Sequence, residues 1–599
     1  MRGARIFIAA AVVLTVMAAA VALAPRTDAS DTDLFWHLAS GRIIVEQHGL
    51  PARDPFSYTS DQPWLDAEWL YDIAIYSVYQ AGGYSGLALL RIGVVLLNAA
   101  LAAALVWRRL PRDTPGSAVL AWLCAAFMIC VCQSYLLMRP HLLGYTAMLV
   151  FLLIYFEALD GRLSTRSLVV SMGLLMVVWV NFHASFIIGL GILGGTAVME
   201  RRVPLLAALG AALLACCITP YGPRAAMHPL YYLHENVFAR SISEMQAPSL
   251  ASGHWPWFQL LLVGVAAVAV HLVRTRAWAH LVLLAGLTWQ AVHHDRHIAL
   301  LTIFWLPLAG RALAPAVRTT ARRAVPVAVA VLALGVACGV AMGPVMRLLP
   351  LERAFRWEDY PIDADAFIAD NHLPDALFNP FEWGGWLEWS MPGRRLFIDG
   401  RNEVAYSPET YLDYLRILQD SASRFALLER FGVRTVLVNR RFEHLGLAAP
   451  LAASPDWTRV YDDDIALVFV RREAALLDRL SRHPVLPSSP YTEARRGLEL
   501  LERGDAAAAQ GPLEHALALD PMLVSARVNL GVAYMRLGRP ADAVAQWEMA
   551  TRDDPGQFNV HYLLGTYARL HGDNGRARRE MEAELRPVSY THLRAHETR

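Results

Sequence analysis

Two aspartates stand two residues apart at the end of the first long apolar run, in the sequence "SDTDLFWHLASGR". Asp31 and Asp33 are followed at once by Trp36 and His37. Carboxylates act as general bases and bind hard divalent cations, so the pair is a candidate acid–base or cation site. The apolar spacing over 34–47 predicts a helix, and carboxylates are also favoured at a helix N-terminus. The pair is therefore either catalytic or a helix cap.

Further polar groups occur at the ends of later apolar runs. Arginine and histidine suit a phosphate, and carboxylates suit a hydroxyl or a cation. The candidate binding residues are Trp36, His37, Asp54, Glu68, Arg139, His141, His183, His294, Arg296 and His297. Several of these residues also have another interpretation. Arg139 and His141 would also suit lipid headgroups, "HHDRH" (293–297) would also suit a metal, and the tryptophans would anchor a helix at the membrane interface or stack on a sugar.

The composition indicates a membrane protein. Of 599 residues 55% are hydrophobic and 18% are charged, which is too apolar for a soluble chain of this size. About eleven apolar runs approach the length that spans a bilayer. They lie at 6–24, 84–107, 117–137, 140–158, 167–182, 184–199, 203–218, 256–273, 277–292, 298–314 and 325–343. The first is either an uncleaved anchor or a signal peptide, and an anchor agrees better with the arginine distribution.

The arginines predict the orientation. Every second loop is basic, as in "RRLPRD" (108–113) and "RTTARR" (318–323), which places these loops and the N-terminus in the cytoplasm. All the candidate residues then fall outside, together with everything after the last span. We expect the outside loops to build one shared pocket. The net charge of +1 gives no reason to expect a nucleic-acid partner.

Residues 346–480 read as a small soluble α/β domain. Strand-like runs at 376–379, 395–398, 435–438 and 466–470 alternate with helical patterns, which predicts a mixed or parallel sheet with helices on its faces. Asp399, Gly400 and Arg401 follow one strand, where they would form a turn or contact a ligand.

Residues 490–586 repeat with a period of 34. Gly497, Gly531 and Gly565 keep this step, as do Gly504, Gly538 and Gly572. That period with small residues is typical of tetratricopeptide repeats, which form an α-helical solenoid that binds proteins. The last residues, 588–599, break the pattern and are expected to be a non-native tail.

The membrane half, residues 1–345 with its first outside loop at 25–83, resembles the GT-C superfamily of integral-membrane glycosyltransferases. The resemblance is carried by the acidic pair at Asp31 and Asp33, the helix and glycine step after it, and "RPHLLGY", "WVNFHASFIIGL" and "TPYGPR". It is closest to a bacterial branch of that superfamily, related to oligosaccharyltransferases and protein O-mannosyltransferases. The resemblance implies a mainly α, polytopic helix bundle.

What the resemblance implies is a glycosyltransferase of the bacterial inner membrane. It would take a sugar from a polyprenyl-phosphate-linked donor in the lipid bilayer and pass it to an acceptor at the outer, periplasmic face. Asp33 or Asp31 would be the general base, or the two would bind a divalent cation such as Mg or Mn, and the repeats would bind an acceptor or protein partner. The alternative is a non-catalytic scaffold that presents the repeats, and a transporter is a third reading.

Overall fold

The computed structural model describes residues 33–111, 115–233, 237–249, 255–320, 360–440, 446–463, 465–482, 485, 489–521, 523–553, 557 and 559–584. The predicted spans at 6–24 and 325–343, Asp31 and the tail at 588–599 lie outside these residues. Helices dominate the described chain, and a small sheet lies between the apolar helices and the C-terminal repeats.

The first part of the described chain is a bundle of apolar helices. Its helices are α1 Leu34–Glu46, α2 Trp69–Trp107, α3 Pro115–Cys132, α4 Pro140–Leu159, α5 Thr165–Val180, α6 Phe186–Met199, α7 Val203–Ala215, α8 Pro223–Met227, α9 Val237–Ser241, α10 Trp255–Arg274, α11 Trp278–His293 and α12 Ile298–Thr320. Among the described residues five helices are long and apolar enough to cross a membrane. Three more are apolar but shorter, and the predicted number of about eleven spans is not confirmed.

Helix α1 forms where the apolar spacing predicts it, and most of its side chains are buried by other parts of the protein. Leu34, Phe35 and Leu38 are fully buried. Phe35 packs edge-on against Tyr360 and Trp386, with ring centroids 5.0 and 4.9 Å away. Helix α1 is therefore held between α2 and residues that follow much later in the chain.

Helix α2 also extends into the predicted first outside loop. It begins at Trp69, and its two straight parts meet at Gly83, whose φ of 57° breaks the helical path. The part before Gly83 buries Tyr71 and Ile75 against α1. The described part of the predicted loop, 33–83, is thus helical at both ends, and these helices pack against each other.

Gly41 lets α1 cross α2 closely, which gives a first prediction. A Cβ at Gly41 would overlap the backbone carbonyl of Asp72 and lie 2.8 Å from Tyr76 Cβ. We expect Gly41→Ala to destabilise the protein by about 2–3 kcal/mol, the cost of overpacking against a backbone that cannot move away. The measurement is the temperature at which the detergent-solubilised protein loses its monodisperse gel-filtration peak. Gly49→Ala is the control, since a Cβ there meets nothing closer than 4.0 Å. An equal loss for both variants would contradict this account.

The second part is an α/β domain with a mixed four-stranded sheet. Its elements are α13 Ile362–Asp370, β1 Leu377–Phe378, α14 Gly384–Ser390, α15 Pro408–Gln419, α16 Arg424–Arg430, β2 Thr435–Asn439, α17 Ala448–Ala453, β3 Trp457–Asp462, β4 Ala466–Arg471 and α18 Ala474–Arg482. The strand order is β1-β2-β4-β3, with β1 and β2 parallel and the other pairs antiparallel. Helices cover both faces: Leu437 joins the cluster of α13 and α18, whereas Val436 and Val438 join that of α15 and α16.

Two strand predictions differ from the structure. The run at 395–398 forms only isolated bridges, through Leu396 to Leu377 and to Ser57. Strand β3 was not predicted, because its alternation of buried and exposed residues is interrupted by a register shift between Arg459 and Tyr461.

The bridge between Ser57 and Leu396 attaches the first outside loop to the α/β domain. The backbone N–H of Leu396 donates to Phe56 O over 2.8 Å, and the N–H of Tyr58 donates to Leu396 O over 3.1 Å. Farther along, Ser407 N donates to Asp61 Oδ1 over 2.8 Å. The first loop and the α/β domain are therefore joined by backbone pairing and are not separate units.

The third part consists of three helix pairs, as the period of 34 predicts. They are α19 Pro490–Glu502, α20 Ala506–Leu519, α21 Val524–Arg536, α22 Pro540–Asp553, α23 Val560–Leu570 and α24 Asn574–Glu584. A side chain at Gly531 would collide with the indole of Trp547, so the small residue allows the close helix contact. The second glycine series turns the chain with positive φ at Gly504, Gly538 and Gly572. Ser489 and Thr492 donate to Asp363 Oδ2, which holds the first repeat against the α/β domain.

Candidate functional site

The predicted outside loops meet at one cavity of about 570 Å³. It lies between the first loop, the starts of α4, α6 and α12, the end of α11, and residues 400–404 of the α/β domain. Of the predicted site residues it is lined by Trp36, Asp54, Glu68, His141, His183, His294, Arg296 and His297. Residues from several predicted outside loops thus line one cavity, and the α/β domain forms a wall that the sequence did not predict.

Asp33 is held by an arginine at the edge of this cavity. Its carboxylate lies 2.9 Å from Arg139 Nη1, and the same nitrogen lies 3.2 Å from Glu244 Oε1. The side chain of Asp33 makes no hydrogen bond that caps α1, so the capping interpretation is wrong for this residue. Burial alone would raise the pKa of Glu244, but the positive charges of Arg139, His141 and Arg296 together outweigh it and the pKa is lowered.

A group of carboxylates forms the wall next to α2. Glu68 keeps 24% of its side chain exposed, and its two carboxylate oxygens lie 3.8 Å from His37 Nε2 and 4.0 Å from His183 Nε2. Burial, reinforced by the charge of Asp66, raises the pKa of Glu68 to about 8. The pKa of Asp66 is itself raised by burial to about 6. Glu68 therefore carries a proton near neutral pH and can exchange it within reach of the cavity.

His37 lies behind this wall and is fully buried. Its Nδ1 shares a hydrogen bond of 2.6 Å with Asp72 Oδ1. Burial lowers the pKa of His37 well below its ordinary value, and the charge of Arg139 adds to the effect. His37 is thus a neutral imidazole that lies between Asp72 and Glu68 and does not line the cavity itself.

The opposite wall is cationic and apolar. Arg296 lines the cavity and donates to the sulfur of Met245 over 3.6 Å. In the described part of the chain no carboxylate lies within ion-pair distance of its guanidinium. His294 is fixed by a hydrogen bond of 2.8 Å between its Nδ1 and Met245 O. The charge of Arg296 acts on Glu244 and Glu68 only from beyond ion-pair distance. Because a guanidinium binds phosphate well, this wall is the natural place for one.

The remaining cavity surface beside Arg296 is apolar and comes from the membrane helices. Ile187 and Ile188 of α6 and Leu300 of α12 line it. Trp289, near the end of α11, also lines it and is 57% exposed. A lipid chain attached to the phosphate would find matching surface on this side of the cavity.

The α/β domain supplies a buried arginine, Arg401, which the sequence pattern assigns either to a turn or to a ligand contact. The 399–401 segment does form the predicted turn, since Arg401 N donates to Asp399 Oδ1 over 2.9 Å. The Arg401 side chain nevertheless reaches the cavity wall, where Nη2 lies 3.0 Å from Asp54 Oδ2. Beside it Glu403 lies 3.3 Å from His228 Nε2, and both residues line the cavity.

A divalent cation does not fit the carboxylates that the structure describes. Asp33 is matched by Arg139, Asp54 by Arg401, and Glu68 by two imidazoles. No group of three or more His, Cys, Asp or Glu side chains within the described residues could hold a metal ion. Asp31 lies outside those residues, and a cation bound with its help stays a prediction.

The tryptophans also differ from the interpretation as interface anchors. Trp36 and Trp64 line the cavity, and the Nε1 of Trp69 donates to Asn181 Oδ1 over 2.7 Å.

Arg139 contacts carboxylates, as described above, and His141 shares a hydrogen bond of 2.7 Å with Tyr135 O. Both residues thus have partners within the protein, and contact with lipid headgroups stays a prediction. The signal that could have pointed to Glu403 and Arg401 is the run of charges after a strand end in "FIDGRNEV".

Three comparisons bear on this fold. A family model described as tetratricopeptide repeat matches residues 500–567. No curated protein sequence matches the chain. A crystal structure of the Archaeoglobus fulgidus oligosaccharyltransferase tethered with an acceptor peptide is 12% identical, with a TM-score of 0.49, and the match covers 78% of this chain and 74% of that one. The apo form of that enzyme is 13% identical, with a TM-score of 0.47 and coverage of 72% and 70%. Residues 500–567 thus match the tetratricopeptide repeat family. The similarity to the archaeal enzyme lies in the path of the backbone and not in the sequence.

Proposed function

We propose that this protein is a membrane glycosyltransferase of the GT-C type. It transfers a sugar from a polyprenyl-phosphate-linked donor to an acceptor hydroxyl. The observation that carries the proposal is the pairing, across one cavity, of the Arg296 guanidinium with the proton-exchanging carboxyl of Glu68. The described residues that the sequence selected from distant loops lie at or next to this cavity.

The reaction needs three contributions, and each has a candidate. The acceptor hydroxyl loses its proton to Glu68 as its oxygen attacks the anomeric carbon. The bond between that carbon and the phosphate oxygen breaks, and the negative charge left on the phosphate is stabilised by Arg296. The polyprenyl chain lies along Ile187, Ile188 and Leu300. Asp33 is bound to Arg139 and stabilises the edge of the site. None of these steps requires a metal ion.

The orientation is part of the proposal. Arginines collect at the ends of α2, α4 and α12 that lie away from the cavity. There Arg109 lies 2.6 Å from Asp160 and Arg311 lies 2.7 Å from the same residue. Basic residues favour the cytoplasmic side, which supports a site at the outer face of a bacterial inner membrane. The repeats then lie outside the membrane, where they bind the acceptor or a partner protein.

Asp33→Asn tests the choice between an enzyme and a scaffold. In cells that lack the chromosomal gene, we expect the wild-type chain to restore the envelope glycan, as measured by mass spectrometry. The Asp33→Asn chain should restore less than about a tenth of it, because loss of a charge-assisted ion pair next to the site costs about 1.5–3 kcal/mol. Immunoblotting of the membrane fraction controls for expression. A scaffold predicts full restoration by Asp33→Asn and none by a chain that lacks residues 490–584.

A further inference from the structure

The first outside loop and the α/β domain meet around one buried side chain. Arg401 is 4% exposed and binds Asp399 through two parallel contacts, Nε to Oδ1 at 2.8 Å and Nη2 to Oδ2 at 2.6 Å. The hydroxyl of Tyr406 also donates to Asp399. Arg401 is thus held rigidly within its own domain before it contacts anything else.

The same guanidinium reaches across to the first loop. Its Nη2 lies 3.0 Å from Asp54 Oδ2, and its central carbon lies 5.0 and 5.5 Å from the ring centres of Phe56 and Trp64. A cation over aromatic faces is attracted by their π electrons, most strongly where water is excluded. Three residues of the first loop therefore surround one arginine of the α/β domain.

Asp54 transmits this contact into the loop backbone. While Oδ2 faces Arg401, Oδ1 accepts hydrogen bonds from Phe56 N over 2.8 Å and from Ser57 N over 3.3 Å. The carboxylate thus joins the arginine to the turn that starts the loop. The loop continues through Trp64 and Asp66 to Glu68, which are all residues of the cavity wall.

The charges explain why the arginine stays ionised when buried. Burial would raise the pKa of Asp399, but the adjacent Arg401 lowers it, so Asp399 is charged. Burial, together with the charge of Asp399, raises the pKa of Glu388 well above its ordinary value, so Glu388 is neutral although it lies 3.5 Å from Arg401. The guanidinium of Arg401 is therefore shared by two carboxylates, Asp399 of its own domain and Asp54 of the first loop. Its Nη1 makes no hydrogen bond to a described residue, and the residue lines the cavity.

We propose that Arg401 is a positioning residue, through which the α/β domain fixes the first loop and thereby places Glu68 in the cavity. The inference rests on the proposed function for its consequence but not for its geometry. It makes the α/β domain a part of the site and not an appended module. Without the arginine, Asp54 and Asp399 repel each other across the contact.

The test combines hydrogen exchange with transfer in the full chain reconstituted in lipid nanodiscs. We expect Arg401→Gln to speed amide exchange in residues 54–68 at least tenfold, while exchange in β2 and β4 stays unchanged. Sugar transfer should fall at least tenfold, whereas binding of undecaprenyl phosphate should change less than twofold, since that site lies at Arg296. A loss of binding equal to the loss of transfer would overturn the positioning role.

Two further variants separate positioning from a general loss of stability. Asp54→Asn keeps an oxygen that can accept from Phe56 N and Ser57 N but removes the charge, so it should speed exchange in 54–68 in the same direction. Combined with Arg401→Gln it should not speed exchange further and should reverse part of the increase, because it removes the repulsion between Asp54 and Asp399 that Arg401→Gln leaves. Arg424→Lys is the matched control, because Arg424 is also buried in this domain but binds only backbone carbonyls of Ile417 and Leu418.

The outcomes distinguish this inference from the proposed function. Unchanged exchange in 54–68 with Arg401→Gln overturns the positioning role, whatever happens to transfer. Faster exchange there with Arg424→Lys also overturns it, because the effect would then be general. If exchange responds as expected and the wild-type chain transfers no sugar, the positioning role stands and the proposed transferase fails.

Discussion

Replacing Arg296 by glutamine is expected to lower sugar transfer by about two to three orders of magnitude, the usual effect of removing one group that stabilises developing negative charge. Arg296 is chosen because its guanidinium lines the cavity without a carboxylate partner among the described residues. Arg139, by contrast, is bound to Asp33 and Glu244. The measurement is the release of labelled sugar from a polyprenyl-phosphate donor by the protein in nanodiscs.

The control for this variant is Arg274→Gln, at the opposite end of the bundle on α10. Its transfer rate should equal that of the wild type. If Arg296→Gln also retains full transfer, the cationic wall does not bind the donor phosphate and the proposed mechanism is wrong. If both variants fail, the loss reflects damage to the bundle.

Replacing Glu68 by glutamine is expected to have an effect of similar size, about 10²- to 10⁴-fold, because general base catalysis contributes that much. Glutamine keeps the shape of the side chain but cannot accept the proton. The pKa of Glu68 is raised to about 8, so the carboxyl is protonated below that pH and is then inactive as a base. In the wild type kcat/KM should therefore rise with pH and level off above about pH 8.

The pH profile decides the role of Glu68. The residual activity of Glu68→Gln should lose the rise toward pH 8, whereas Glu46→Gln, at the end of α1, should keep it. A wild-type profile that falls above pH 8 would mean that Glu68 must be protonated, and it would then act as an acid. A flat wild-type profile would exclude Glu68 from proton transfer.

The sequence pattern within each segment predicted most of the helices, but it did not predict which residues pack against them. The apolar spacing over 34–47 correctly predicts α1, and Ser407 caps α15 by accepting from Thr410 N, as the Ser-Pro start suggests. The covering of α1 could not be predicted, because Tyr360 and Trp386 belong to a domain far along the chain. An exposed amphipathic helix and a buried one have the same periodicity.

The same limit applies to the site. Residue type and topology selected Glu68, His183 and Arg296 from loops far apart in the chain, and the cavity brings them together. They could not show that Asp33 is bound by Arg139, which is why Glu68 replaces Asp33 as the proposed base. They could not find the pairing of Asp54 with Arg401 either, since charge pairs between distant segments leave no periodic signal.

The most direct test is to locate the phosphate itself, by electron cryomicroscopy of the full chain in nanodiscs that contain undecaprenyl phosphate. The account predicts density for the phosphate within hydrogen-bonding distance of Arg296, with the prenyl chain leaving past Ile187 and Leu300. An empty cavity at saturating lipid, or a phosphate bound outside it, would contradict the account.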